Sequence, residues 1–104
     1  MPRQHHPTPL PVRRASRDLG EHFATWRRLR SLTSAQVAER AGISRETVSR
    51  LETNAGSVSL GNALRVARVL GVMDELVAAA DPYQSDVGRL RAEEQLPRRV
   101  REPR

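Results

Sequence analysis

The sequence contains no cysteine and no lysine, and its 104 residues include only one phenylalanine, one tryptophan and one tyrosine. Without cysteine, the chain has no disulfide framework, no thiolate zinc site and no cysteine nucleophile. No apolar run approaches the roughly 20 residues that a helix needs to cross a bilayer, and no signal peptide is recognisable. We therefore expect a soluble, cytoplasmic protein of about one small domain, and its small core disfavours an enzyme.

Motifs for catalysis and for cofactor binding are also missing. The sequence has no Gly-rich phosphate loop, and no serine stands in the context of a nucleophile elbow. His5 and His6 are neighbours near the N-terminus, but no third metal ligand accompanies them. The sequence therefore predicts no enzymatic activity, no cofactor and no metal site.

Charge and proline are unevenly distributed. All 18 basic residues are arginines, and against 12 acidic residues they give a net charge of +6. Residues 1–17 hold four arginines and no acidic residue, whereas residues 18–80 and 81–104 each carry one excess positive charge. Four prolines within the first eleven residues predict an extended, disordered chain up to about Leu10. These shifts divide the chain into a basic Pro-rich arm (1–17), a domain (18–80) and a tail (81–104).

Between residues 12 and 81 there is no proline, and apolar residues recur at helical spacing. The first helix is predicted to begin at Asp18 and to bury Phe23 and Trp26. Serine or threonine caps and glycine stops separate four more short helices. The expected caps and stops are Thr33 or Ser34, Gly42, Ser44 and Gly71. This pattern predicts an all-α fold, a compact bundle of five helices without strands.

The segment from Thr33 to Glu52 has a distinctive order: short helix, glycine, apolar residue, serine cap, second helix. Gly42 permits a tight turn, so the two helices cross at a large angle. The second helix is then held out as a rod that fits the major groove of DNA.

A helical wheel at about 100° per residue places Val48, Leu51 and Glu52 on the buried side of this second helix. The opposite side carries the residues that we predict to read DNA bases, with Thr47 at its edge: Arg45, Glu46, Thr47, Ser49 and Arg50. Arginine suits guanine because it can donate two hydrogen bonds to O6 and N7. Glutamate can accept from the cytosine amino group, or Glu46 can instead orient Arg50 one turn later. The alternative for all five residues is an ordinary solvated helix surface.

The stretches LTSAQVAERAGISRETVSRLE (32–52) and SLGNALRVARVLGV (59–72) closely resemble the Cro/CI-type helix-turn-helix domains, also called XRE-family regulators. The resemblance covers about residues 18–80 and implies a lambda-repressor-like DNA-binding domain. It implies the same base-reading positions, and a buried ion pair between Arg27 and Glu52 that locks the reading helix to the scaffold. The family usually has glutamine where this chain has Ser34, which is too short to brace a base-reading side chain.

Further contacts are predicted around this segment. Ser34 can offer its hydroxyl to a phosphate beside the free N–H groups of a helix N-terminus. The predicted phosphate contacts are Ser34, Ser44, Asn54 and, from the arm, Arg13, Arg14 and Arg17. For the arm, DNA binding and a merely solubilising tail remain equal alternatives. The predicted dimer surface lies on the fourth and fifth helices, at Val69, Met73, Leu76 and Val77.

The tail contains a predicted short helix from Asp86 to about Gln95, capped by Ser85, with Val87 and Leu90 facing inward. Its sequence DPYQSDVGRLRAEEQLPRRVR resembles the tail of some bacterial XRE regulators, a few of which sit beside a toxin-like partner. The tail could dock on a dimer, bind a partner or fold only on binding, and the sequence does not separate these.

Together these features predict a sequence-specific regulator of transcription, a repressor that binds double-stranded DNA as a homodimer on a palindromic operator. We expect it in the cytoplasm, on the nucleoid when bound to DNA, with no membrane association. The alternative is an antitoxin that neutralises a protein toxin through its tail and autoregulates its operon.

Overall fold

A computed structural model describes residues 6–96 of the chain. Its α-helices are α1 (Leu10–Leu29), α2 (Ser34–Ala41), α3 (Arg45–Thr53), α4 (Leu60–Leu70), α5 (Met73–Ala80) and α6 (Asp86–Gln95). Two single 3-10 turns follow α3 and α5, at Ala55–Ser57 and Pro82–Gln84. Residues 6–96 contain no strand, which confirms the predicted all-α class. The ends of the predicted arm and tail, residues 1–5 and 97–104, lie outside the described range.

The chain divides into two units, one ending at Met73 and one beginning at Asp74. In the first unit α1 packs against α3 and α4, and α2 also packs against α3 and α4. Half of its buried apolar residues are alanines, so the helix backbones approach closely. The buried residues are Phe23, Ala24, Val37, Ala38, Ala41, Val48, Leu51, Ala55, Ala63, Val66, Ala67 and Leu70.

Local capping sets the helix boundaries of the first unit. Thr33 caps α2 in a capping box: its hydroxyl accepts the Gln36 N–H at 3.0 Å, and the Gln36 side chain accepts the Thr33 N–H at 2.8 Å. Gly42 and Gly71 end α2 and α4 in the left-handed region, with φ of 72° and 81°. These boundaries confirm the predicted caps and stops, with Thr33 rather than Ser34 as the cap.

Helix α1 begins at Leu10, eight residues before the predicted start at Asp18. Pro9 precedes the helix and Pro11 occupies its first turn, where a missing N–H costs nothing and a fixed φ favours the helix. The Pro9 carbonyl accepts the N–H groups of Val12 and Arg13 at 3.0 and 3.1 Å. The sequence pattern predicts Arg13, Arg14 and Arg17 in an arm ahead of the helix, whereas the structure places all three inside α1.

Trp26 is another correction, because it is 38% exposed rather than in the core. The guanidinium carbon of Arg30 lies 5.1 Å from the centre of its ring. Arg30 Nε also donates to the Leu70 carbonyl at 3.0 Å, at the end of α4. Trp26 therefore belongs to a surface pair in which the arginine caps α4, where a positive charge favours the helix dipole.

The second unit comprises most of α5, the turn Pro82–Gln84 and α6. Ser85 caps α6 by accepting the Gly88 N–H at 2.9 Å, so the predicted tail helix and its cap are confirmed. Val87 and Leu90, predicted to face inward, are exposed, and α5 and α6 contain no buried residue. None of the helices within residues 6–96 is long and apolar enough to span a membrane.

Candidate nucleic-acid interface

Helix α3 has two sharply different sides. Val48 and Leu51 are fully buried against the rest of the first unit. The side chains on the other side are exposed: Arg45, Glu46, Ser49 and Arg50. The wheel assignment of the inner and outer sides therefore matches the burial of this nine-residue helix. Two guanidinium groups and one carboxylate form an outward face that can exchange hydrogen bonds with a polar ligand.

The start of α3 is held by Ser44 and Thr47. The Ser44 hydroxyl accepts the Thr47 N–H at 3.1 Å, and the two hydroxyl oxygens lie 2.8 Å apart. Thr47 is half-buried. Ser44, which is predicted to contact DNA, is thus also the N-cap of α3, and its bond to Thr47 fixes the first turn of the helix.

The end of α3 is held by Asn54 and Ser57. Asn54 Oδ1 accepts the Gly56 N–H at 3.1 Å, and the Ser57 hydroxyl donates to the Asn54 carbonyl at 2.7 Å. The Asn54 carboxamide nitrogen remains able to donate to an anion. A shallow depression of about 380 Å³ joins this turn to the exposed face of α3. Its lining is Glu46, Ser49, Arg50, Thr53, Asn54 and Ser57.

A second depression, of about 670 Å³, lies between α1, α2 and α3. Its lining includes Ser34, the first residue of α2, and Ser49 and Thr53 of α3. Because Ser49 and Thr53 also line the smaller depression, the two form one continuous surface. The structure thus places five of the predicted contacts on one continuous surface of the first unit: Ser34, Glu46, Ser49, Arg50 and Asn54.

Arg27 connects α1 to the end of α3. Its Nε and Nη2 donate to the two carboxylate oxygens of Glu52 at 2.8 and 3.2 Å, and its Nη1 donates to the Leu32 carbonyl at 3.1 Å. Both side chains are largely buried, with 16% and 13% of their areas exposed. The hydrogen bond from Arg27 to Glu52 raises the pKa of the Arg27 guanidinium, against the opposing effect of burial. This bidentate pair holds α3 to the scaffold in a fixed orientation.

Gly20 is a second link between α1 and α3, and sequence reasoning missed it. A Cβ at Gly20 would lie 2.6 Å from the Leu51 carbonyl oxygen and 2.7 Å from that of Glu52. The two backbones can meet here only because residue 20 has no side chain. A glycine inside a strongly helical pattern is the one signal that could have indicated this contact.

The remaining predicted residues lie elsewhere. Arg13, Arg14 and Arg17 are exposed on the first two turns of α1. Of the predicted dimer residues, Val69, Met73 and Leu76 are half-buried and Val77 is 62% exposed. Val69 belongs to the first unit, whereas Leu76 and Val77 belong to the second.

Comparison with protein families matches residues 18–80, well over half of the chain, to a family described as a helix-turn-helix domain. The match spans α2, the Gly42 turn and α3, and it begins within α1, eight residues after that helix starts. Comparisons with curated proteins and with solved structures gave no match.

Proposed function

Because the chain belongs to the helix-turn-helix domain family, a family of DNA-binding domains, we propose that it is a sequence-specific regulator of transcription that reads the major groove with α3. The observation that carries this proposal is that one side of α3 is fully buried, which holds the helix in place and leaves its polar side exposed. A cap at each end of the helix and the Arg27–Glu52 pair fix its orientation.

Arg45 and Arg50 are the proposed principal readers. Within residues 6–96, the ion pairs are Arg27–Glu52 and Arg89–Asp86. The guanidinium groups of Arg45 and Arg50 are therefore not paired with a carboxylate in this part of the chain. Each can therefore donate two hydrogen bonds to guanine O6 and N7. Glu46 makes no ion pair with Arg50 within residues 6–96, so its carboxylate is open to accept from a cytosine amino group, and orientation of Arg50 is the alternative role. Ser49 and Thr47 complete the proposed reading set.

Phosphate contacts are proposed at the edges of this face. Ser34 stands at the N-terminus of α2, where backbone N–H groups and the helix dipole favour an anion. Ser44 stands at the N-terminus of α3, and Asn54 follows its C-terminus. These positions lie before and after α3. Phosphate contacts at both ends of a helix fix its register and orientation in the groove.

The direct experiment is selection of bound sequences from a pool of random duplex DNA with the purified full chain. We expect enrichment of one short motif, rich in G·C pairs at the positions that the two arginines read. Recovery of random sequences at every salt concentration would contradict sequence-specific regulation.

Arg50→Ala is expected to weaken binding to the selected motif by about 1–3 kcal/mol and to relax preference at one base pair per half-site. The reason is that the variant cannot make a bidentate contact to a base edge. Repeating the selection with the variant measures this directly. If the selected motif stayed the same while affinity fell equally for all sequences, Arg50 would be a phosphate contact instead.

We further propose that the protein is a homodimeric repressor on a palindromic operator. A nine-residue helix is only about 13 Å long and reads few base pairs, so a second copy is needed for useful specificity. The proposed dimer surface comprises Val69, Met73, Leu76 and Val77.

Val77→Glu is expected to shift the chain from dimer to monomer in sedimentation velocity, because it places a charge on an exposed apolar position of the interface. Ala79→Glu is the matched control, since Ala79 is exposed about 160° away on the same helix. Equal sedimentation of both variants and the wild type would exclude this surface.

The second candidate function is the antitoxin. It is favoured by the second unit, whose α5 and α6 bury no residue and which exposes five large apolar side chains. These are Val77, Tyr83, Val87, Leu90 and Leu96. Co-expression with the product of a neighbouring gene tests it: removal of residues 81–104 should abolish a stable complex while leaving DNA selection intact.

A further inference from the structure

The first two turns of α1 are amphipathic, with arginines on one side and apolar residues on the other. Described residues 6–17 contain three arginines and no acidic residue. These turns lie outside the range that matches the family. Relative to Gly20 at 0°, a wheel of about 100° per residue places Arg13 near 20°, Arg17 near 60° and Arg14 near 120°. All three arginines therefore point to one side of α1.

That side of α1 borders the larger depression, which also has walls from α2 and α3. Glu21 and Arg28, which line the larger depression, fall near 100° and 80° on the same wheel. The other walls of that depression are Ser34 and the α3 residues Ser49 and Thr53. The arginine row thus continues, along α1, the surface that carries the proposed DNA contacts.

The opposite face of these turns is apolar and fixes their rotation. Val12, Ala15 and Leu19 fall between about 220° and 280° on the wheel. They line a groove of about 500 Å³ whose other walls come from the turn after α3 and from α4, among them Ala55 and Ala63. Ser16 stands directly against Gly56, where a Cβ would lie 2.7 Å from its hydroxyl oxygen. Because this apolar face is packed, these turns of α1 cannot rotate about the helix axis, and the side on which the arginines lie is fixed.

We infer that the first two turns of α1 are a rigid second DNA contact, in which Arg13, Arg14 and Arg17 bind backbone phosphates beside the base pairs read by α3. This inference rests on the proposed function. Arg13, the outermost of the three, lies seven residues before Gly20, and therefore about 10 Å along α1 from the crossing with α3. At 3.4 Å per nucleotide this reach corresponds to at most about three additional base pairs of backbone. The arginines contribute affinity and site length, and they carry no sequence information.

The test uses the full chain and a 40-base-pair duplex that carries the sequence selected by the wild type. Removing one arginine–phosphate interaction should reduce the slope of log affinity against log salt by about 0.9. The triple variant Arg13→Ala/Arg14→Ala/Arg17→Ala should therefore reduce the slope by about 2–3 per protomer. Its hydroxyl-radical footprint should shorten at the outer flank, and its selected motif should not change.

A charge-relocation variant separates a rigid helix from a general charge effect. Arg17→Ala/His22→Arg keeps the net charge but moves it about 140° around α1 to an exposed position. For a rigid contact, this variant should show the reduced slope of Arg17→Ala alone. Recovery of the wild-type slope would overturn the inference, because the position of the charge would not matter.

Two controls complete the design. Circular dichroism checks that the variants fold, and a triple Arg→Gln variant replaces the alanine variant if that one does not. An unchanged slope in a folded triple variant, with a wild type that still selects its motif, overturns this inference alone. A wild type that selects no motif overturns the proposed function and this inference together.

Discussion

Glu52→Ala is expected to destabilise the free protein by about 2–4 kcal/mol, somewhat below the usual cost of breaking a fully buried pair because both side chains keep slight exposure. The substitution leaves the Arg27 guanidinium between α1 and α3 without its carboxylate. For a domain of this size, the melting temperature should fall by on the order of 10–20 °C. Thermal unfolding followed by circular dichroism, without DNA, measures it.

Two further variants show whether the ion pair causes this destabilisation. Arg45→Ala removes an exposed charge from the first turn of α3, and its melting temperature should match that of the wild type within about 2 °C. Arg27→Leu/Glu52→Leu removes both charges and should recover much of the stability, because no charge is then buried alone. A wild-type melting temperature for Glu52→Ala would show that the pair contributes nothing to the fold.

Gly20→Ala is expected to destabilise the protein although alanine is the better helix former. The helix preference favours alanine by about 1 kcal/mol. The added Cβ would lie within 2.7 Å of two carbonyl oxygens of α3, and backbone cannot rotate away as a side chain can. Because overpacking typically costs about 1–3 kcal/mol, and backbone clashes are at the upper end, the net destabilisation should be about 1–2 kcal/mol.

Gly61→Ala is the matched control for Gly20→Ala, and its effect should have the opposite sign. Gly61 lies in the first turn of α4, and the nearest atom to its added Cβ, the Ser59 hydroxyl oxygen, is 4.0 Å away. Without a clash, the variant should gain about 0.5–1 kcal/mol from helix preference alone. Stabilisation by both substitutions would show that α1 and α3 separate at no cost.

Gly20→Ala also has an expected effect on DNA binding. The clash is relieved most easily by a shift of α3 away from α1, which would tilt the reading face. Affinity for the selected motif should then fall more than affinity for random duplex DNA. At temperatures below its melting temperature, Glu52→Ala should also lose more affinity for the selected motif than for random DNA. The reason is that the Arg27–Glu52 pair and the close approach at Gly20 both position the C-terminal end of α3.

Sequence reasoning predicted well what is determined by near neighbours. The caps Thr33 and Ser44 and the stop at Gly42 depend on residues within one turn, so they could be identified from spacing. The two sides of α3 follow from helical periodicity in the same way. The Arg27–Glu52 pair joins residues 25 positions apart, and only the resemblance to a known family could indicate it.

The errors concern features that depend on position within a helix or on tertiary contact. The prolines at 9 and 11 favour an extended chain by composition alone, although the start of a helix accepts proline. Trp26 has the spacing of a core residue, but it lies at the margin of the buried face, where Arg30 covers it. The backbone approach at Gly20 has no local cause, because it depends on where α3 crosses α1.

The outward face of α3 makes no ion pair with the rest of residues 6–96, and this has an evolutionary consequence. Under the proposed function, substitutions at Arg45, Glu46 or Arg50 would change what the helix recognises while leaving the core and both caps as they are. Selection for a new operator therefore need not pass through unstable intermediates. Gene duplication followed by drift at these few positions would let one scaffold diverge into regulators of separate promoters.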